Sequence, residues 1–280
     1  LPPVSYKEST VQFEEKGEKL LISGKDFRYV FNTHYGNFEY MERGGRVIFE
    51  EPVDLTVWRA PTDNDKMDSE DWEAANYHKL WNKVYQCERE ENQIIVEGSL
   101  AGISRMPFLR YRTVFTIGSD GQVKVSFHGE KREGSKFLPR LGFEFLLPKN
   151  DDVFRYFGRG ERENYVDMTC HTRTGMYESR PSLEYVPYVR PQEHGNHTGA
   201  RRLEVGGMKV AADRPFEFNV SHYSSQSLTC ASHTDELEED GYVHVRIDYK
   251  VSGLGSHSCG PELRESYRLD DSEIEFEFYM

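Results

Sequence analysis

Four stretches concentrate the side chains that could bind or catalyse. In "WRAPTDND", residues 58–65, Pro61 sets a stiff turn and Asp63, Asn64 and Asp65 can each fold back onto backbone N–H groups. Alternating oxygens there could also hold Ca²⁺. The glycine and closing glutamate of an EF-hand are missing, so a turn braced by side-chain hydrogen bonds is the first reading and a ligand or metal contact the second. Arg59 sits inside the same turn. In "FGRGERENYVDM", residues 157–168, Arg159 and Arg162 lie near Glu161, Glu163 and Asp167, and Asn164 offers both donors and an acceptor. The "GRG" lacks the third glycine of a dinucleotide loop. A buried ion network and a sugar contact fit this chemistry equally.

In "PYVRPQEHGNHTGARRLEV", residues 187–205, two prolines fix an extended path. Arg190, Gln192, Glu193, Asn196 and Arg201 suit a hydroxyl-rich ligand. They equally suit an irregular loop whose backbone must be satisfied internally. His194 and His197 have no third metal ligand at a convincing spacing. In "GLGSHSCGPE", residues 253–262, small residues allow close approach, and His257 and Cys259 invite comparison with a thiol nucleophile. Nothing in the sequence supplies the held base and lowered pKa that a nucleophile needs. Glycoside hydrolysis needs two opposed carboxylates, and 48 acidic residues offer no criterion for choosing a pair.

The elements that must position these groups read as strands. "EKLLISG", "DFRYVFN", "RVIFEE", "QIIVEGSL", "LRYRTVFTIG", "QVKVSFHGEK", "LGFEFLLP", "PFEFNVSHYS", "YVHVRIDYKVSG" and "EIEFEFYM" carry apolar or alternating patterns between turn signals. Val123, Val125 and Phe127 should face one side of their strand, and Ile274, Phe276 and Phe278 one side of theirs. Such strands suit antiparallel sheets with one buried face. A helix is expected around "DSEDWEAANYHKLW", capped by Asp68 or Ser69, with Ala74, Tyr77 and Trp81 on one face. A second short one is expected near Thr234 to Leu237. Alternating β/α units are absent. The fold class is all-β, a large antiparallel sandwich with one or two short helices, running as a single domain over 1–280 with residues 1–9 as a linker.

Composition excludes several functions. The net charge of −13 disfavours nucleic acid. No apolar run is long enough for a membrane helix. Cys87, Cys170, Cys230 and Cys259 are too dispersed for a zinc site and read as buried, reduced thiols. The opening "LPPVSYKEST" has neither an initiator Met nor a signal pattern. It reads as the continuation of a longer protein, which leaves the compartment undetermined.

Taken in order, "WRAPTDND", "YFGRGERENYVDM", "VPYVRPQEHGNHTGARRLEV", "FNVSHYS" with "SHTDEL", and "GLGSHSCGP" resemble the C-terminal, small-chain domain of family 2 β-galactosidases. The resemblance runs from about residue 10 to the C-terminus. It implies a β-supersandwich similar to galactose mutarotase. It also implies a parent enzyme that cleaves terminal β-D-galactosides with retention, its acid and nucleophile being glutamates of a preceding TIM barrel. The segment alone would then be inactive. It would pack on the preceding domains of its own chain, and homo-oligomers are a further possibility. Mg²⁺ and Na⁺ would serve the parent, with no metal or cofactor required here. The loop matching "GLGSHSCGP" would lie near the mouth of the barrel, with Cys259 where some members place an aromatic ring and His257 beside it as substrate-rim candidates. Two other readings stand next to this one. One is a stand-alone carbohydrate-binding or structural module. The other is an aldose 1-epimerase, with His222, His233 or His244 as the acid or base and a distant Glu as its partner.

Overall fold

The computed structural model describes residues 11–150 and 152–280. The proposed linker, 1–9, lies outside them. Seventeen strands follow in order. The first six are β1 (Gln12–Lys16), β2 (Lys19–Ser23), β3 (Phe27–Asn32), β4 (Asn37–Arg43), β5 (Arg46–Phe49) and β6 (Asp54–Thr56). Helix α1 (Lys66–Ala74) precedes β7 (Leu80–Glu90), β8 (Gln93–Gly102), β9 (Leu109–Ile117), β10 (Val123–Lys131), β11 (Arg140–Pro148), β12 (Phe154–Gly160) and β13 (Arg173–Ser179). After α2 (Pro181–Glu184) come β14 (Asn196–Val205) and β15 (Met208–Ser221). Helix α3 (Ser225–Cys230) leads to β16 (Tyr242–Val251) and β17 (Glu273–Tyr279).

The strands β1 to β5 form an antiparallel meander, and the remaining twelve form one large antiparallel sheet. The antiparallel all-β expectation therefore holds. Alternation explains the packing. Val123, Val125 and Phe127 of β10, and Ile274, Phe276 and Phe278 of β17, are all buried, while Glu273, Glu275 and Glu277 are exposed. The two sheets share a continuous apolar core. Phe31 and Phe38 of the small sheet meet Phe115 of the large one edge-on at 5.3 and 5.4 Å. At one end Arg43 donates to the Gly121 carbonyl at 2.6 Å and fastens the small sheet to the β9–β10 turn.

The sheet forks at β15. Its first half bridges β17 at Ala211, and its second half pairs with β16 over Glu217–Ser221. The exposed stretch Asp213–Pro215 lies between the two halves.

Two expectations need correction. The helix is shorter than its pattern suggested and starts earlier, after Asp65, so Asp68 and Ser69 lie inside it. It stops at Ala74 because Asn76 turns to φ 58°, a left-handed conformation asparagine tolerates. Tyr77 packs on Phe108 beyond the helix, and Trp81 lies on β7, 59% exposed. Second, the thiols are free but not buried. Cys170, Cys230 and Cys259 are exposed and Cys87 is half-buried. The stretch "RYFGRG", not singled out as strand in the sequence, lies on β12, which pairs with both β13 and β14. The short helical turn expected near Thr234 is present as one 3₁₀ turn, Thr234–Glu236.

Candidate functional site

The charged alternation of β11, β15 and β16 does not face water. Phe143, Phe145, Phe216, Phe218, Val245 and Ile247 fill the core. The opposite face carries Arg140, Glu144, Glu217, Asn219, His244, Arg246 and Asp248, and all except Glu144 are buried. Loops 58–65, 161–172, 181–198 and 252–268 come from distant parts of the chain; 181–198 bonds this layer directly through Glu193, His194 and Asn196 and holds 58–65 and 161–172, which in turn hold 252–268.

Arginines organise the layer. Arg140 reaches Asp248 through Nε at 3.2 Å and Nη2 at 2.6 Å, and Glu193 at 3.3 Å through Nη1. A side chain at position 142 would strike the Asp248 carboxylate, since a Cβ there would lie 2.3 Å from Oδ1, so only glycine fits. Arg246 pairs with Glu144 at 2.7 Å and donates to Asn219 at 2.9 Å. Burial pushes the Glu144 carboxyl up, but Arg246 and His244 outweigh it and hold it at about 2. Burial raises Asp248 despite Arg140. Burial also drives Glu217 up to about 8, with Asn196 and Arg140 opposing and Asp248 adding to the rise.

The residues of 58–65 are placed as a braced turn. Arg59 is fully buried and grips Asp65 through Nε at 3.1 Å and Nη2 at 2.6 Å. It also donates to the carbonyls of Ser252 and Gly253 and lies over the Trp72 ring at 5.4 Å. The Asp65 carboxylate accepts from the Thr62 N–H and hydroxyl. The Asp63 N–H donates to Gln192 at 2.9 Å, and its side chain is exposed. Asn64 donates to the Gly255 carbonyl and accepts from the Ser258 hydroxyl at 2.8 Å.

Asn164 is the centre of the next loop. Its amide donates to the carbonyls of Arg159 and Arg162, its oxygen accepts from Thr198 N–H and hydroxyl, and its N–H donates to the Asn196 carbonyl. Glu163 accepts from the Gly195 N–H at 2.6 Å. Asp167 accepts from Leu254 and Gly255 at 3.1 and 2.8 Å. The arginine–carboxylate network expected here does not form among the described residues. Arg159 and Arg162 contribute backbone carbonyls, because short Asn and Asp side chains can reach the crowded backbone that long guanidiniums cannot. Asn196 joins Asn164 to Glu217 at 2.8 Å. Arg190 is exposed beside a cavity of about 320 Å³ shared with Asp63 and Gln192. Arg201 is exposed and holds the Asp213 carbonyl.

The histidines are engaged. His194 contacts the Gln192 carbonyl at 2.8 Å and His197 contacts Glu184 at 3.2 Å. His244 lies between Glu144 and Asp240, His222 between Asp152 and Glu239, and exposed His233 meets Glu236. His257 is half-buried, 3.7 Å from Asp68, and Cys259 is exposed two residues on. The His257 Nδ1 is buried, while Ser256, Ser258 and Cys259 are exposed at the tip of the 253–259 loop. Among the described residues no group of three or more His, Cys, Asp or Glu side chains could hold a metal ion, and no helix is long and apolar enough to cross a membrane.

Sequence reasoning missed Arg140, Glu144, Glu217, Asn219, Arg246 and Asp248. The only signal was the density of charge on strands with fully apolar opposite faces.

Comparison with known proteins follows this geometry. A family model described as "Beta galactosidase small chain" matches residues 23–280. The β-galactosidase of Actinobacillus pleuropneumoniae is 36% identical over 282 positions, covering 99% of this chain and 28% of that protein. The β-galactosidase of Staphylococcus xylosus is 32% identical over 91% of this chain and 26% of that protein. The chain thus spans under a third of the length of these curated relatives. Among solved structures, a putative aldose 1-epimerase from Escherichia coli K12 aligns with a TM-score of 0.48 at 10% identity, covering 96% of this chain and 98% of that one.

Proposed function

The chain belongs to the β-galactosidase small-chain family, and from that premise we propose that it is the non-catalytic C-terminal portion of an enzyme that hydrolyses terminal β-D-galactosides with retention. The observation that carries the proposal is the footing of the 253–259 loop. Asn64, Arg59 and Asp167 hold its backbone from two other loops, while Cys259 is exposed at its tip and His257 lies half-buried beside Asp68. Such a loop is stiff enough to form one wall of a sugar site built mainly by preceding domains. A thiol offers little stacking surface, so His257 is the group that would meet the sugar or its aglycone.

The carboxylates of the polar layer have other work. Asp65, Asp248 and Glu193 neutralise arginines, and Glu217 is closed in by Asn196. A hydrolytic pair must be free to accept and give protons at the glycosidic oxygen and anomeric carbon. In this reading the acid and nucleophile, and any Mg²⁺ or Na⁺, belong to the preceding domains.

The test is turnover of a chromogenic β-galactoside by the 280-residue chain and by the full-length enzyme carrying it. The full-length enzyme should turn over and the chain alone should not. Comparable turnover by the chain would reject the division of labour, and accelerated mutarotation of α-galactose by the chain would favour the epimerase reading.

A further inference from the structure

The fork in the large sheet encloses a cleft of about 850 Å³, lined by Glu217 and Lys250 on one bank and Glu273, Glu275 and Glu277 on the other. It shares no lining residue with the 253–259 loop. Its volume falls in the range of about 300–1,000 Å³ typical of ligand sites. The lining is unusual for a small-molecule site because it includes an open sheet edge.

Which backbone groups face the cleft follows from the ladder. Met280 and Val123 exchange both hydrogen bonds, N–H to carbonyl in each direction, at 2.9 and 2.8 Å. The alternation of an antiparallel pair then sends the N–H and C=O of Ile274, Phe276 and Phe278 towards β10. Those of Glu273, Glu275 and Glu277 point the other way, into the cleft. Beyond the single bridge from Ala211 to Tyr279, that edge has no strand partner among the described residues.

We propose that the cleft between β16 and β17 receives an extended, lysine- or arginine-bearing segment of a partner polypeptide, which adds as a strand to the free edge of β17. The edge from 273 to 278 is about 20 Å long at ~3.4 Å per residue, room for a six-residue strand. The added ladder satisfies the backbone groups that β15 abandons where it bends at Asp213. Charge selects the segment. Glu273, Glu275, Glu277 and Asp213 outnumber Arg214 and Lys250; Lys250 is held by Asp271 at 2.8 Å, Glu277 by Lys124 at 2.7 Å and Glu275 by His128 at 2.6 Å, so Glu273 and Asp213 carry most of the selection. Side chains of an incoming strand lie opposite the glutamates, where opposite charges stabilise and like charges repel. A second copy of β17 would set glutamate against glutamate, so the edge excludes self-pairing.

The probes are two synthetic octapeptides, one alternating lysine with threonine and one alternating glutamate with threonine. Each is titrated into the 280-residue chain and followed by fluorescence anisotropy and amide exchange. The lysine peptide should bind at least about tenfold tighter, and more weakly as salt is raised. It should slow exchange at the Glu273, Glu275 and Glu277 amides. Glu275→Pro removes an N–H the added strand needs and spares every backbone bond to β10, losing only the side-chain contact with His128, as edge prolines do. It should weaken the lysine peptide about tenfold or more. Glu273→Gln, which leaves the backbone intact, should narrow the preference between the peptides. Equal binding of both peptides, protection elsewhere, displacement by a galacto-oligosaccharide, or dimerisation through the same amides would each overturn the proposal.

Discussion

Asp248 takes both arms of the Arg140 guanidinium, Oδ1 at 3.2 Å from Nε and Oδ2 at 2.6 Å from Nη2, with neither side chain exposed to solvent. A buried pair of this kind gives little net stability, but losing one partner leaves the other uncompensated. Arg140→Met should therefore cost roughly 3–5 kcal/mol in urea unfolding, since both Asp248 and Glu193 lose their cation. Adding Asp248→Asn and Glu193→Gln should recover part of that loss.

Glu217 supplies a pH signature. Its folded-state pKa of about 8 lies above the ordinary carboxyl value, so the folded form holds the proton more tightly. The stability it contributes is complete below about pH 4.5 and falls as pH rises to about 8, with a limiting slope near 1.4 kcal/mol per pH unit. Glu217→Gln, which keeps a neutral partner for Asn196, should flatten that part of the profile. A thermal melt at pH 8 should show the variant more stable than the parent chain. An unchanged difference from pH 5 to pH 8 would mean that Glu217 is ionised throughout.

Asn164 ties its own loop to the end of β12 and the start of β14 through side-chain bonds to Arg159, Arg162 and Thr198. Asn164→Ala strands several buried backbone groups, each worth about 1–3 kcal/mol when left unpaired. Amide exchange should accelerate at 161–168 and 194–198 while β9 and β10 stay protected. Uniform acceleration would instead indicate global unfolding.

The thiols separate by environment. Cys170, Cys230 and Cys259 are exposed, whereas burial pushes Cys87 up to about 11. Timed maleimide labelling near neutral pH should give three fast additions and one slow one by mass spectrometry. If Cys87 labels as quickly as Cys259, β7 opens far more readily than its pairing with β8 implies.

In the full-length enzyme, His257→Ala should raise KM for a chromogenic β-galactoside several-fold with a smaller effect on kcat, as loss of a binding wall does. A matching fall in kcat with KM unchanged would place the residue in the chemistry.

Strands were legible wherever one face was apolar and the other charged, as in β10 and β17. Burial of the charged face was not. The sequence "YVHVRIDY" alternates just as a half-wet strand does, and His244, Arg246 and Asp248 read as solvated. Their burial depends on loops from residues 58, 161 and 181 onwards folding over them, which no local pattern records. The motif at 157–168 is a braced loop whose bracing groups differ from those its charge suggests, for a related reason. Its arginines carried the charge, but its geometry is set by Asn164 and Asp167, whose short side chains reach backbone partners far away in sequence. Trp81 failed through helix length, because the turn at Asn76 ended the period before it arrived.

Asp167 clasps the N–H groups of Leu254 and Gly255, and a Cβ on Gly253 would lie 2.7 Å from its carboxylate. For protein engineering this divides the loop into a fixed root and a replaceable tip. Grafts that keep 253–255, Ser258 and Gly260 together with Asn64 and Asp167 can exchange 256, 257 and 259. Grafts that import a side chain at 253 evict the clasp and forfeit the loop's orientation. The loop's sequence can thus be recoded at a few tip positions, with the root inherited whole.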